Sequence, residues 1–513
     1  LALAAAALRV YPRAAAAELG TDAFMFEALF VDPLTPLTTT FLVIALLVAC
    51  GFEFVNGFHD TANAVATVIY TNALKPWRAV AISGFFNFVG VLAGGISVAM
   101  GIIKLLPTEL LVSQGSGGAL AMVMALLAGA ILWNLGTWYL GLPASSSHTL
   151  IGAIIGVGLA NSLTPGHALG EGVNWSKATD IGMALLLSPL FGFTVAAGLF
   201  LLLKNLVRDK RLFDPPAGLT APPLWIRSLL IATCSGVSFA HGQNDGQKGV
   251  GLIMLILIGL APGGFALDLQ ADTAHMHAAR TAAHAIDDLL THANVLPTGV
   301  DAARLDAETD PHAQRVDDPR EGALVALHRL ERLLDGRDSV RAIPRAERFH
   351  VRQSILLLDD AIKVLAKSDA LAPLTKAQRK SLDAHRDDLK GLTDYAPKWV
   401  LLAVALSLGL GTMVGWKRIV VTIGEKIGKS HLTYAQGAAA ELVAASTIVV
   451  AGQLGLPVST THVLSSGIAG TMVAQRSGLQ QSTIRNILLA WVLTLPVSML
   501  LSGGLFLLFR LFL

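Results

Sequence analysis

The stretch Phe54–Val68, FVNGFHDTANAVATV, lies inside an apolar run that begins at Phe41 and continues to Ile69. Within a few residues it gathers Asn56, His59, Asp60, Thr61 and Asn63. A carboxylate near the middle of a bilayer costs at least about 2.5–3.5 kcal/mol and marks a functional site by default. Whether the surroundings are membrane is decided by the rest of the chain. Of its 513 residues, 53% are hydrophobic and 14% charged, with a mean hydropathy of +0.60. Soluble domains carry about 25% charged residues. Apolar segments recur at 39–57, 79–103, 119–140, 149–160, 181–203, 225–260, 398–416, 436–453, 463–475 and 486–509. Each is read as near the ~20 residues that a helix needs to cross a bilayer. The alternating ten-residue segments of a β-barrel are absent. The expected fold is an all-α polytopic membrane protein with about ten apolar segments and broken or re-entrant helices.

A net charge of +2 gives no sign of a nucleic-acid partner, because the basic residues cluster at the ends of spans. Lys204, Arg208, Lys210, Arg211 and Arg227 frame one loop, and Lys417, Arg418, Lys426 and Lys429 another. Both read as cytoplasmic by the positive-inside rule. Cys50 and Cys234 lie in apolar spans as small hydrophobes, and no metal-binding spacing exists. The opening LALAAAALRVYPRAAAAELG lacks a basic region followed by a clean apolar one, so a cleaved signal peptide is not expected.

One stretch breaks the apolar rule. Residues 266–396 are charged and rich in His, Asp and Arg. Leu324, Leu327, Leu330, Leu333 and Leu334 recur at helical spacing, predicting water-soluble helices packed on one another. His275, His277, His284 and His292 read as a solvated helical face rather than a metal site, since no Cys or tight carboxylate cluster joins them. The domains expected are an Ala-rich extension at 1–38, a first membrane repeat at 39–203, a basic loop at 204–224, the start of a second repeat at 225–261, a soluble helical insert at 262–397, and the rest of the second repeat at 398–513.

Repetition carries the organisation. GLPASSSH at 141–148 returns as GLPVSTTH at 455–462, and NGFHDTANA at 56–64 returns loosely as HGQNDGQKG at 241–249. From Asp60 to Pro143 is 83 positions and from Asp245 to Pro457 is 212; the excess, 129, nearly equals the 131 residues of the polar stretch. If each apolar segment crosses once, each half crosses five times and the second half is inverted. That is the plan of many secondary transporters, which hold substrate and ions at the repeat interface.

The Gly-Leu-Pro motif places Pro where a helix tolerates it, in the first turn. Ser145, Ser146 and Ser147, and likewise Ser459, Thr460 and Thr461, then supply hydroxyls beside the free N–H groups of a helix start, an arrangement that binds anions. A plain N-cap is the alternative for one copy; two matched copies in apolar surroundings favour the anion site. Asp60 and Asp245 can hold a cation, take up a proton or pair with Lys248, with Asn63 and Asn244 beside them. Gly57, Gly242, Gly246 and Gly249 would tolerate an unwound backbone at such a site. Glu441 and Glu53 are further intramembrane acids, each a proton carrier or a packed helix-end residue.

FVNGFHDTANAVATVIYTNAL, SGFFNFVG, SFAHGQNDGQKGVGLIMLILIG and GLPVSTTH resemble the inorganic phosphate transporter family, in particular its bacterial low-affinity branch. The resemblance covers both membrane halves. It implies a non-enzymatic importer of inorganic phosphate in the bacterial inner membrane, working by alternating access. By position, phosphate would be held by Asn63, Ser145, Ser146, Ser147, Asn244, Ser459, Thr460 and Thr461, while His59, Asp60, Asp245, Lys248 and Glu441 would serve the coupling ion. Three departures from the sodium-coupled pattern, His59, Lys248 and Asn87, leave fewer oxygens and an added cation, which disfavours a Na⁺ cage. Proton coupling is therefore expected, with no resident metal or cofactor; the bacterial branch implies co-transport of a divalent metal such as Mg²⁺ in a neutral complex with phosphate. The expected partners are phosphate, protons and the lipid bilayer, and a homo-oligomer is compatible with the sequence. The alternatives are a sodium-coupled phosphate transporter or a sulfate transporter of the same fold and, more remotely, a membrane phosphate sensor or a phosphohydrolase suggested by the His59-Asp60 pair.

Overall fold

The structure, a computed structural model, describes residues 34–106, 115–165, 170, 172–216, 220–308 and 316–512. The expected N-terminal extension lies outside these residues up to position 33. In chain order the first helices are α1 (Pro36–Tyr70), α2 (Pro76–Ala93), α3 (Ser97–Ile103), α4 (Gly115–Tyr139), α5 (Ser146–Ser162), α6 (Trp175–Leu206) and α7 (Leu224–Leu260). There follow α8 (Pro262–Phe265), α9 (Thr273–His292), α10 (Ala302–Glu308), α11 (Pro319–Leu334), α12 (Arg345–Lys367) and α13 (Lys376–Lys390). The chain closes with α14 (Lys398–Thr412), α15 (Lys417–Glu425), α16 (Tyr434–Gln453), α17 (Thr460–Gln475) and α18 (Gln481–Phe509). Among the described residues there is no β-strand, only an isolated bridge between Gly428 and Leu479. The described residues divide into two compact units, one within 41–256 and 400–512, the other within 34–40 and 257–399.

In the larger unit, helix length separates crossings from inserts. By length and composition, α1, α2, α4, α6, α16 and α18 are long and apolar enough to cross a membrane. The bent pair of α14 and α15, 67° apart, would be a seventh if taken as one span. The segments at 149–160 and 463–475 become α5 and α17, of 17 and 16 residues and buried along most of their length. At 1.5 Å per residue each is about 25 Å long, short of the ~30 Å hydrocarbon core. The segment at 79–103 breaks at Gly94 and Gly95 into α2 and α3. Helix count by length therefore falls below the one-crossing-per-segment count. The loop expected to carry Lys417 is helical instead, because Ile419, Val420 and Ile423 give it one buried apolar face.

The chain does not unwind at the Asp motifs. α1 runs unbroken through Asp60 and α7 through Asp245. Their glycines serve another purpose, letting neighbouring backbones approach. A Cβ on Gly57 would meet the Leu408 carbonyl and the Thr412 amide of α14, and one on Gly242 would meet the backbone of Asn87 in α2. The same device joins the halves elsewhere. α5 lies against α18, with Gly156 facing the backbone of Met499, and α17 lies against α6, with Gly470 facing that of Phe193. Small residues at helix contacts are what membrane packing favours, because backbone approach replaces the hydrophobic drive that water would supply.

The smaller unit has its own apolar core. Leu327, Leu330, Leu333 and Leu334 of α11 are buried with Ile355, Leu358 and Ile362 of α12 and Met276 and Ile286 of α9. Helix starts are capped by side chains: Asp272 accepts from the His275 amide at 2.8 Å, and Thr375 and Gln378 form a capping box. Hydrogen bonds from His275 hold the Asp272 carboxyl below the usual range. Where the chain enters and leaves this unit, buried Arg352 donates through Nη1 to the carbonyls of Ala266 (3.2 Å) and Thr393 (3.0 Å), and the Tyr395 hydroxyl donates to Phe265 O at 3.0 Å. Burial pushes the Tyr395 phenol up, so it remains a donor. His275, His277, His284 and His292 are all exposed.

If Gly57 is there for backbone approach, Gly57→Val should destabilise the full-length protein by about 3 kcal/mol or prevent its folding, since overpacking costs about 1–3 kcal/mol and here the neighbour is backbone. A thermal unfolding midpoint in detergent equal to wild type would refute the close-contact role.

Candidate functional site

The two repeated motifs build matching structures. Gly141 (φ 66°) and Gly455 (φ 67°) end α4 and α16 in the left-handed region, where only glycine is unstrained. The following Leu amides return to the helices just ended, Leu142 to Thr137 O and Leu456 to Ala451 O, each at 2.9 Å. Pro143 and Pro457 then lie in the link, two residues before the caps, and not in the first turn as the motif suggests. The reason is that Ser145 and Ser459 take the N-cap, accepting from the amides of His148 (3.2 Å) and His462 (3.1 Å), so each helix starts only at the next residue. The imidazoles of His148 and His462 face each other with ring centroids 4.5 Å apart.

Both helix starts turn their hydroxyls toward Asp60. Its Oδ2 accepts from Ser146 Oγ at 2.7 Å, and its Oδ1 from Thr461 Oγ1 at 2.8 Å and Asn63 Nδ2 at 3.3 Å. His59 Nδ1 lies 3.3 Å from Oδ1, while His59 Nε2 lies 3.2 Å from Thr137 Oγ1. All of these groups are buried. α1 can present them together because 56, 60, 63 and 67 fall on one helical face.

The second Asp motif repeats the wiring with a change of charge. Asn63 Nδ2 links Asp60 to Thr461 Oγ1 (2.9 Å), in the motif of the other half. At the equivalent place in α7, Lys248 Nζ donates to Asp245 Oδ1 at 2.6 Å and to the hydroxyl of Ser147, which is the counterpart of Thr461. Nζ also reaches Val458 O at 3.1 Å, and Ser147 Oγ donates to the same carbonyl at 3.0 Å. Asn244 Nδ2 donates to Leu456 O at 3.3 Å, and Thr460 is buried at the start of α17.

His241 joins the two carboxylates, and sequence reading passed it over. Its Nε2 is 3.6 Å from Asp60 Oδ2 and 3.4 Å from Asp245 Oδ2. Its Nδ1 donates to Asn87 Oδ1 at 2.8 Å, and Asn87 Nδ2 donates to Thr412 Oγ1 at 2.9 Å. That bond places a proton on Nδ1 and turns Nε2 toward the acids. The signal was present: His241 stands four residues before Asp245 and in register with Asn56. Asp60, His241 and Asp245 present ligand atoms within 4.8 Å of one another and have the chemistry to hold a metal ion or a proton. Glu441 lies apart. It accepts from Thr67 and from Thr233 Oγ1 (2.5 Å), two turns along α1 from Asp60, or about 10 Å.

Two helix starts and two carboxylates, enclosed by apolar helices, make a buried site able to hold a small ion. A model described as the phosphate transporter family matches residues 56–502. The low-affinity inorganic phosphate transporter PitB of Escherichia coli (strain K12) is 44% identical over 484 residues, covering 91% of this chain and 96% of that protein. The probable low-affinity inorganic phosphate transporter of Bacillus subtilis (strain 168) is 29% identical over 462 residues, covering 90% and 95%. A solved structure described as the sodium-dependent phosphate transporter aligns with a TM-score of 0.50 at 21% identity, covering 92% of this chain and 100% of that one, so the fold is shared. The chain belongs to the phosphate transporter family. It is a multi-pass membrane protein, and a transporter rather than an enzyme.

If Asp60 is held by both motif helices, Ser146→Ala and Thr461→Val should act on one group. Each should lower uptake by roughly tenfold, about the worth of one hydrogen bond to a charged group, and the double variant should fall short of the product of the two losses. Strictly multiplicative losses in initial uptake rate would show that the two hydroxyls act independently.

Proposed function

We propose that the protein imports inorganic phosphate across the bacterial inner membrane by proton symport, with the phosphate carried as a neutral complex with a divalent metal such as Mg²⁺. The observation that carries this reading is the convergence of Ser146 and Thr461, one from each motif helix, on the Asp60 carboxylate. Two helix starts aimed at one anion make a site for anions, and in this conformation Asp60 is the anion. Phosphate cannot join an ionised Asp60 cheaply. Two like charges 4 Å apart repel by about 4 kcal/mol at an effective dielectric of 20. Neutralising Asp60 with a proton removes that repulsion and frees the hydroxyls, so anion binding and proton binding favour each other.

In this scheme phosphate contacts Asn63, Ser146, Ser147, Asn244, Thr460 and Thr461, and Ser145 and Ser459 hold the helix starts in place. Protons are exchanged by Asp60 and Asp245 with His59, and Glu441 is a separate station. His241 belongs with the coupling group, on its contacts to both carboxylates. The metal of the cargo would arrive bound to its phosphate and would need no carboxylate of its own, since in this scheme Asp60 is protonated and Asp245 is paired with Lys248. A neutral complex also lowers the cost of bringing phosphate into the membrane. Alternating access would proceed by movement of the two halves as inverted repeats, a reading supported by the matched motifs and by the crossed pairing of α5 with α18 and α17 with α6. Sodium coupling is the less favoured reading, because Lys248 puts an ammonium where a cation would otherwise pair with Asp245.

Proteoliposomes with separately imposed pH and Na⁺ gradients test the proposal. Labelled phosphate should accumulate when the outside is acidic, should need Mg²⁺, and should be indifferent to Na⁺. Asp60→Asn and Asp245→Asn should each abolish accumulation. Uptake that follows Na⁺ and ignores pH would overturn the coupling, and inhibition by equimolar sulfate would overturn the selectivity.

A further inference from the structure

A basic exposed surface of the membrane unit lies on α15. Lys417 and Arg418 occupy the first turn of this helix, the end where the helix dipole is itself positive and where cations are ordinarily disfavoured. Lys426 follows the last turn. All three are exposed, while Ile419, Val420 and Ile423 bury the opposite face. An open groove of about 690 Å³ runs beside them, lined also by Trp138, Tyr139 and Trp416. No carboxylate lines it among the described residues. Arg418 is held over the rings of Trp138 (5.2 Å) and Tyr139 (4.9 Å), a placement that keeps its charge at the mouth of the groove.

Trp and Tyr at the end of a spanning helix mark the level of the lipid headgroups. A short helix bent 67° from its apolar predecessor, with cations on one face and aliphatics on the other, is the form of an interfacial helix. The geometry points to a binding site for the phosphate-bearing headgroup of an anionic phospholipid in this groove. The lipid is favoured over free phosphate because aromatic and aliphatic surface shares the groove with the cations, which suits a headgroup with its glycerol and upper acyl chain.

The groove is wired to the transport site. Thr422 Oγ1 donates to Gly141 O at 2.8 Å, Arg418 Nη1 to Tyr139 O at 3.0 Å, and Trp138 Nε1 to Gly415 O at 2.7 Å. Gly141 opens the turn that sets the Ser145 cap and the Ser146 hydroxyl. A bound headgroup steadies α15 and, through these bonds, one of the two helix starts that hold the anion.

Purified full-length protein, reconstituted in vesicles of equimolar phosphatidylglycerol and phosphatidylcholine and then extracted, should retain phosphatidylglycerol in native mass spectra. Lys417→Gln, Arg418→Gln and Lys426→Gln should weaken retention by about fivefold per cation removed, whereas Lys204→Gln with Arg211→Gln, in another basic region, should not. If the triple variant does not fold, Lys426→Gln alone carries the test, with the same fivefold loss. Equal retention of the two lipids, or equal retention by wild type and variants, would overturn the assignment. Displacement of phosphatidylglycerol by millimolar inorganic phosphate would overturn it too, by giving the groove to the free ion.

Discussion

The structure depends on one constraint: a carboxylate held away from water must have its charge answered from several directions at once. Asp60 is answered by a serine hydroxyl from one motif helix, a threonine hydroxyl from the other and an amide from its own helix, and two imidazoles lie close by. None of these groups can reach it unless four helices meet within a few ångströms. The close backbone contacts at Gly57 and Gly242 hold α14 and α2 against the helices that carry the acids, where Thr412 and Asn87 support His241. Packing in the membrane unit thus serves electrostatics as much as the reverse.

Much of this was legible in the chain. Long apolar segments gave the fold class, and the doubled GLPASSSH and GLPVSTTH motifs gave the matching helix starts, because a left-handed glycine and a serine cap are local requirements. Three features were not legible. The glycines of the Asp motifs were read as tolerating an unwound backbone, yet α1 and α7 stay helical. Sequence does not say whether a small residue is there for its φ or for its neighbour. The prolines were placed one turn too late, because a cap two residues on outranks them as the helix start. His241 went unremarked since its counterpart, Asn56, is neutral; only the approach of α1 to α7 makes it a bridge between two acids.

The two halves are wired alike and charged differently. Asn63 and Lys248 occupy equivalent positions, and each ties its own aspartate to a hydroxyl of the opposite half. In one half the link is a neutral amide and in the other an ammonium. Asp60, Asp245 and Lys248 together then carry one net negative charge if His241 is neutral. Buried charge left unbalanced is expensive, so this trio favours one added positive charge, and Glu53, buried against Gly249, is a further acid beside it. A single proton on His241 or on a carboxylate balances the trio. In the proposed scheme, once that proton is in place, a cargo close to neutral enters without reopening the imbalance. That is the electrostatic case for a phosphate that brings its own metal, and it rests on Lys248 more than on any residue the metal itself would touch.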